Sequence, residues 1–191
     1  MSAPKPHREV EIKLRLRGVA QGRQLLKGAG FRVLRPRVFE VNLVFDGPGG
    51  LLRESGCLLR VRQAGGRSLL TFKGPSAPGR HKSREELEVQ VSDAGVTAQI
   101  LERLGFQPIF RYQKYRTEFS QPDQPGTVTL DETPIGVFLE LEGRPRWIDQ
   151  TAARFGFSQP DYITASYARL YLEFCRARRR RPRHMLFQNR R

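Results

Sequence analysis

The chain has 191 residues, of which 38% are hydrophobic and 28% charged, enough for one sizeable domain with a modest core. Its net charge of +15 favours anionic partners over cationic ones. No apolar run approaches the roughly 20 residues of a membrane-spanning helix and the N-terminus lacks a secretory apolar core. Two isolated cysteines, Cys57 and Cys175, make neither a disulfide framework nor a zinc site, so the composition predicts a soluble, cytoplasmic protein.

In chain order, the first predicted element is a strand over residues 8 to 17, in which Glu9, Glu11 and Lys13 alternate with Val10, Ile12 and Leu14. A short helix from Val19 to Lys27 stops at Gly28 and Gly30, and a strand follows from Val38 to Phe45. Cys57 to Gln63 and Ser68 to Lys73 read as a hairpin about Gly65-Gly66, and residues 74 to 79 as a Pro/Gly loop. The strand Arg84 to Val91 leads to Ser92 as expected N-cap of a helix from Ala94 to Leu104. A meander is predicted from Phe110 to Phe119, Thr127 to Leu130 and Gly136 to Glu142. Helices around Ile148 to Phe155 and Ser166 to Phe174 close a domain over residues 1 to 174. Residues 175 to 191, dense in arginine, read as a disordered tail, either solvated or a nonspecific anchor for RNA or another polyanion. Many antiparallel strands with irregularly placed helices argue for an α+β fold with a closed or nearly closed antiparallel barrel.

The charged stripe of the first strand recurs. Arg60 with Arg62, Arg84 with Glu86 and Glu88, Lys114 with Arg116, and Glu140 with Glu142 each share one face of a strand. If the sheet curls on itself, these faces meet inside. Unpaired buried charges make a poor core, but a mixed lining of carboxylates and cations suits a polyanion that arrives with a divalent metal. Mg²⁺ and Mn²⁺ take oxygen ligands from one or two carboxylates plus substrate phosphates, Arg offers a fork to phosphate, and Lys a point charge. On their own, His7, His81 and His184 read as structural or solvated, Tyr112, Tyr115 and Tyr167 as packing residues, and Trp147 as a helix anchor.

Glu9-Val10-Glu11-Ile12-Lys13 resembles the ExExK signature of the CYTH superfamily, the triphosphate tunnel metalloenzymes. The segments around Arg60 and Arg62, Lys73, Arg84 to Glu88, Lys114 to Arg116, Asp131, and Glu140 to Glu142 resemble the family's remaining motifs in order, so the resemblance spans about residues 8 to 174. It implies an eight-stranded tunnel. Glu9, Glu11, Glu140 and Glu142 would hold Mg²⁺ or Mn²⁺, with Glu88 and Asp131 assisting. Lys13, Arg60, Arg62, Lys73, Arg84, Lys114 and Arg116 would grip the phosphates, and Glu9, Glu11 and Lys13 would form the reaction centre. The implied activity is hydrolysis of inorganic, thiamine or nucleoside triphosphate; the alternatives are a class IV adenylyl cyclase making cyclic AMP and pyrophosphate, or a noncatalytic polyphosphate or nucleotide binder. Several of the family's triphosphatases use a tyrosine beside the signature lysine, from a strand resembling Asn42 to Asp46, and this chain has none there.

Overall fold

The computed structural model describes residues 7–188. Eight strands, β1 (His7–Leu16), β2 (Arg32–Asp46), β3 (Leu58–Ala64), β4 (Arg67–Lys73), β5 (Lys82–Val91), β6 (Gln107–Ser120), β7 (Thr127–Thr133) and β8 (Gly136–Glu142), close into a barrel in the order β1-β5-β4-β3-β2-β6-β7-β8. Every pairing between these strands is antiparallel. Five helices flank it: α1 (Val19–Gly28), α2 (Leu51–Glu54), α3 (Ala94–Arg103), α4 (Pro145–Arg154) and α5 (Tyr167–Ala177).

The period-two alternation of the sequence becomes an inside and an outside. Glu9, Glu11 and Lys13 face the lumen, while Ile12, Leu14 and Leu16 join Val128, Leu130, Leu139 and Leu141 beneath α1 and α4. A second apolar cluster lies outside the wall of β2 and β3, where Phe45, Leu59 and Val61 meet Ala98 and Leu101 of α3. These two clusters lie between barrel and helices, while a third, with Val44, Tyr112 and Phe138, packs against Tyr167 and Leu170 of α5 and against Met185, which leaves the rest of the lumen for charge. Trp147 anchors α4 as expected, with its ring edge-on to Phe31 at 6.5 Å. Its ring lies so close to Gly126 that a Cβ there would stand 2.3 Å from it, so only glycine fits.

Gly65 and Gly66 both take positive φ, 53° and 78°, as a two-residue hairpin turn of type I′ requires. The N-cap of α3 is Asp93 rather than Ser92: its side chain accepts from the Val96 amide. Strand β2 begins at Arg32, earlier than Val38, because its first half pairs with the far end of β6 through bulged register.

The predicted domain end at residue 174 and disordered tail need correction over the described residues. Helix α5 runs to Ala177, and Met185, 0% exposed, bridges β6 at Tyr112. The Met185 amide donates to the Arg111 carbonyl and its carbonyl accepts from the Gln113 amide. Strand β7 covers β6 only from Tyr115 to Ser120, so the neighbouring stretch has backbone groups to satisfy, and the C-terminal segment satisfies them. Composition alone hides this, since the short apolar run Met185-Leu186-Phe187 is outweighed by the arginines before it. Residues 189–191 of the predicted tail lie outside the described residues. Met185→Ala is expected to lower stability by about 2–5 kcal/mol, measured by urea unfolding; a loss under about 0.5 kcal/mol would mean that the segment is not docked in solution.

Candidate functional site

In an antiparallel sheet, residues in register point to the same face, and in this barrel register sets opposite charges side by side on the lumen wall. Glu9 faces Arg84, Glu11 faces Lys82, Lys13 faces Glu140, Lys73 faces Glu86, Glu40 faces Lys114, and Arg116 faces Asp131. The cavity so enclosed measures about 560 Å³, and nine cations and seven carboxylates line it. Apart from Tyr112 and Tyr167, its apolar lining is Leu58, Leu69 and Leu87.

Contacts follow the register. Lys73 Nζ lies 2.6 Å from both Glu9 oxygens and 3.0 Å from Glu86, and Arg84 Nε stands 3.5 Å from Glu9. Lys82 donates to Glu11 at 2.8 Å, and Lys13 lies 3.3 Å from Glu11 and 3.2 Å from Glu140. Burial works to raise the Glu11 carboxyl, but Lys13 and Lys82 hold it well below the usual carboxylate range. Burial likewise works against the Lys13 charge, and Glu11 and Glu140 more than compensate, raising its ammonium above the usual lysine range. Arg60 reaches Thr71 and the Tyr112 hydroxyl, each at 3.3 Å, while Thr71 donates to Glu88. Arg62 stands 4.0 Å from Glu40.

The predicted residues Lys13, Arg60, Arg62, Lys73, Arg84, Lys114 and Arg116 all line this one cavity, as do Glu9, Glu11, Glu88, Glu140 and Glu142. Asp131 does not. It is 0% exposed, and its oxygens accept from Lys114 at 2.8 Å, from both donors of the Arg116 fork and from the Tyr167 hydroxyl at 2.7 Å. Asp131 thus acts as a counter-ion that aims cations, not as an open ligand; Arg116 also reaches Glu140.

Glu142 differs from its neighbours. Its register partner across β1 is Glu11, the one like-charged pair among the lumen register partners of the described residues, and Glu142 has no ion-pair partner among them. Though open to the water of the tunnel, its carboxyl is pushed up to about 7 by the protein packed around it and by the nearby Glu9. This wall holds more negative charge than its own cations neutralise. No three acidic groups stand close enough, among the described residues, to form a ready-made metal cage.

Sequence reasoning missed Glu40 and Lys82 and read Tyr112 as packing; Tyr167 it read as packing too, with a substrate contact from Ser166 and Tyr167 left open by the family resemblance. Lys82 has the phase of Arg84 and Glu86, and would have been legible had the strand been started two residues earlier. Tyr112 shares its face with Lys114 and Arg116; its phenol, which burial alone would push up, is lowered by Arg60 and Lys114. Tyr167 could not be found by period, because it enters from the first turn of α5 and stands 5.3 Å from Lys13 and 5.2 Å from Lys114. The tyrosine absent from β2 has a neighbour instead: Asn42 is in register with Tyr112.

A support outside the lumen aligns β1. Asp149 of α4 accepts from Tyr162 at 3.1 Å and pairs with His81 at 2.8 Å and Arg80 at 3.0 Å. The residues that follow, Lys82 and Ile163, hold the Glu11 side chain and the Lys13 backbone respectively. His81 is structural, as the sequence suggested.

The CYTH domain family matches residues 7–186. The chain belongs to the CYTH family. A protein of Methanocaldococcus jannaschii named as a candidate adenylate cyclase is 33% identical over 134 residues, 70% of this chain and 75% of the relative. Two solved structures share the fold. A candidate adenylate cyclase of Vibrio parahaemolyticus superposes with a TM-score of 0.74 at 22% identity, over 87% of this chain and 98% of the other. A Hippeastrum candidate adenylyl cyclase, described as having a dominant triphosphatase activity, gives 0.65 at 21% identity, over 87% and 96%. Among the described residues of this CYTH protein, no helix is long and apolar enough to cross a membrane.

Asp131→Asn leaves buried cations without their counter-charge and is expected to cost about 3–5 kcal/mol in stability, whereas Glu142→Gln is expected to be neutral or stabilising by urea unfolding. Equal losses in the two variants would refute this division. A second expectation concerns Glu40, which burial alone would raise but Lys114 and Arg62 lower to about 2. A depressed carboxyl stabilises the fold above its ordinary value near 4.5 and loses that contribution as pH falls toward 2. The stability gap between wild type and Glu40→Gln should therefore close over that window, and a gap independent of pH would show that Glu40 is not ionised in the fold.

Proposed function

We propose that this chain is a divalent-metal-dependent enzyme that binds a triphosphate in the tunnel and hydrolyses it to diphosphate and phosphate. The observation that carries the reading is the closed lumen lined by nine cations and seven carboxylates, with Glu142 set beside Glu11 and left without an ion-pair partner among the described residues. A triphosphate fits the cations, and a hard cation fits those two acids.

The donor set suits Mg²⁺ or Mn²⁺. Glu9, Glu11, Glu140 and Glu142 would hold the ion, and the absence of a ready cage of three acids fits metals that complete their shell with water and phosphate oxygens. When bound, the ion would neutralise phosphate charge and supply an activated water at neutral pH. Of the other expected ligands, Glu88, bonded to Thr71 and near Arg60, would assist through them, and Asp131 would act through the cations it holds.

The chain's own part is positioning and charge. Lys13 sits between Glu11 and Glu140 and would hold a phosphate oxygen where the acid and phosphate layers meet. Lys73, Lys82 and Arg84 approach from β4 and β5, and Arg60, Arg62, Lys114 and Arg116 from β3 and β6, so phosphates would be gripped from several sides with the terminal phosphorus presented in line to water. Water attack would form one P–O bond as the bond to the bridging oxygen breaks, leaving diphosphate.

Without ligand, the cations are occupied by the carboxylates. A triphosphate alone would strip cations from the acids, and a metal alone would strip acids from the cations; together each relieves the charge the other leaves. Coupling of this kind is reciprocal. Titration calorimetry should show Mg²⁺ tightening tripolyphosphate binding by the factor that tripolyphosphate tightens Mg²⁺ binding, on the order of 5- to 150-fold. Binding indifferent to EDTA, without turnover, would identify a noncatalytic binder instead.

The cyclase reading draws on the archaeal relative's name. The lumen favours hydrolysis over it: three leucines around a charged cavity supply no apolar slot for a purine beyond what Tyr112 and Tyr167 offer. Phosphorus NMR of incubations with ATP, tripolyphosphate and thiamine triphosphate separates the two, since release of phosphate supports hydrolysis and cyclic AMP with pyrophosphate overturns it. Glu11→Gln should abolish metal-dependent turnover, and Arg60→Ala should raise KM about tenfold or more; full turnover by Glu11→Gln at limiting metal would sink the metal assignment.

A further inference from the structure

Most of the chain's net charge of +15 lies outside the tunnel, whose lining holds only two more cations than acids. A large share sits in one stretch. Arg176, Arg178, Arg179, Arg180, Arg181 and Arg183 are all exposed, and no acidic residue follows Glu173. The stretch is held at both ends. The Arg180 amide donates to the Cys175 carbonyl, Arg179 takes a left-handed φ of 53°, and Met185 is paired to β6. The arginines are therefore displayed on an arch rather than on a loose tail.

Past the arch the fold adds what the tail lacks. The tail carries a single aromatic residue, Phe187, but its ring lies 5.3 Å from Tyr115 of β6 and 6.4 Å from Phe39 of β2, on the outer wall of the barrel. Phe39 is 39% exposed. The Arg37 guanidinium carbon lies 3.5 Å from the centre of the Tyr115 ring while Glu132 accepts from Nε and Nη2, so one face of that ring already carries a cation. Arg111, exposed, adds charge where the arch meets β6.

A cationic track beside aromatic rings is the arrangement that holds unpaired nucleotides, with phosphates on the arginines and bases against the rings. A duplex keeps its bases stacked and offers the rings nothing, and an acidic lipid surface would use the arginines alone. Unpaired, splayed bases are chiefly a property of RNA loops and ends. We propose that this outer surface docks single-stranded RNA, phosphates along the arginine arch and a base against the cluster of Phe39, Tyr115 and Phe187.

The test uses the full chain and an unstructured, 5′-hydroxyl RNA of about 12 nucleotides, so that no triphosphate end can enter the tunnel. Fluorescence anisotropy is read between about 50 and 200 mM salt. Joint replacement of Arg178, Arg180, Arg181 and Arg183 by Ala should flatten the plot of log affinity against log salt by roughly 3, at about 0.7 per phosphate contact. Phe39→Ala should weaken binding about tenfold with the slope unchanged. Phe39→Leu, which keeps apolar bulk and removes the ring, should weaken it similarly while retaining the wild-type melting temperature. Wild-type affinity in both Phe39 variants would reduce the surface to a plain polycation and overturn the proposal. So would equal binding to a duplex or single-stranded DNA of the same length, or competition by anionic vesicles that persists in the Phe39 variants.

Discussion

Everything in this molecule depends on turning the usual sheet inside out. In a curled sheet the two faces of each strand are separated by one residue, so a strict alternation of charge and aliphatic side chains leaves a single choice about which face is enclosed. Here the enclosed face carries the charge. The apolar face is covered from outside, by α1 and α4 on one flank and α3 on another, and that coverage supplies the burial that holds the barrel together. A tunnel lined by ions exists because the helices have taken over the work of a core.

Charge enclosed in this way is costly unless it is paired, and the pairing is written in the register. A slip of one residue along β1 would turn Glu9, Glu11 and Lys13 outward into the aliphatic layer and bring Ile12 and Leu14 into the lumen, so charge and hydrophobicity enforce the same alignment. The alignment also leaves one mismatch, Glu11 opposite Glu142, where two carboxylates meet. Two acids set against each other in this way, where the other charged lumen partners are of opposite sign, raise the cost of ionising both, and a cation from solution would relieve it.

The groups around Tyr167 illustrate how far apart in sequence cooperating residues can be. Tyr167 from α5, Asp131 from β7 and Lys114 with Arg116 from β6 form one hydrogen-bonded set, with the aromatic ring of Tyr167 packed edge-on against Phe138. This set fixes the direction of two cations, so that an anion bound there would lose less entropy in ordering them. Asp149 performs a comparable service from outside, joining two segments that pair one after the other along the β1 edge opposite β8.

The sequence by itself determined the barrel, its charged lumen and most of the lining, because a period of two is a local property and every inward residue of a regular strand inherits its phase from its neighbours. Lys82, Glu40 and Tyr112 carried that phase too, and escaped only because the strand ends or the residue type concealed it. What tertiary structure alone decided is of another kind. That Asp131 is saturated by cations, that Tyr167 enters the lumen from a helix, that Met185 seals the edge of β6, and that Phe187 meets Phe39 and Tyr115 all depend on contacts across tens to more than a hundred residues of chain. No local pattern encodes such contacts, since they are fixed only when the closed sheet brings distant strands to one distance and one facing.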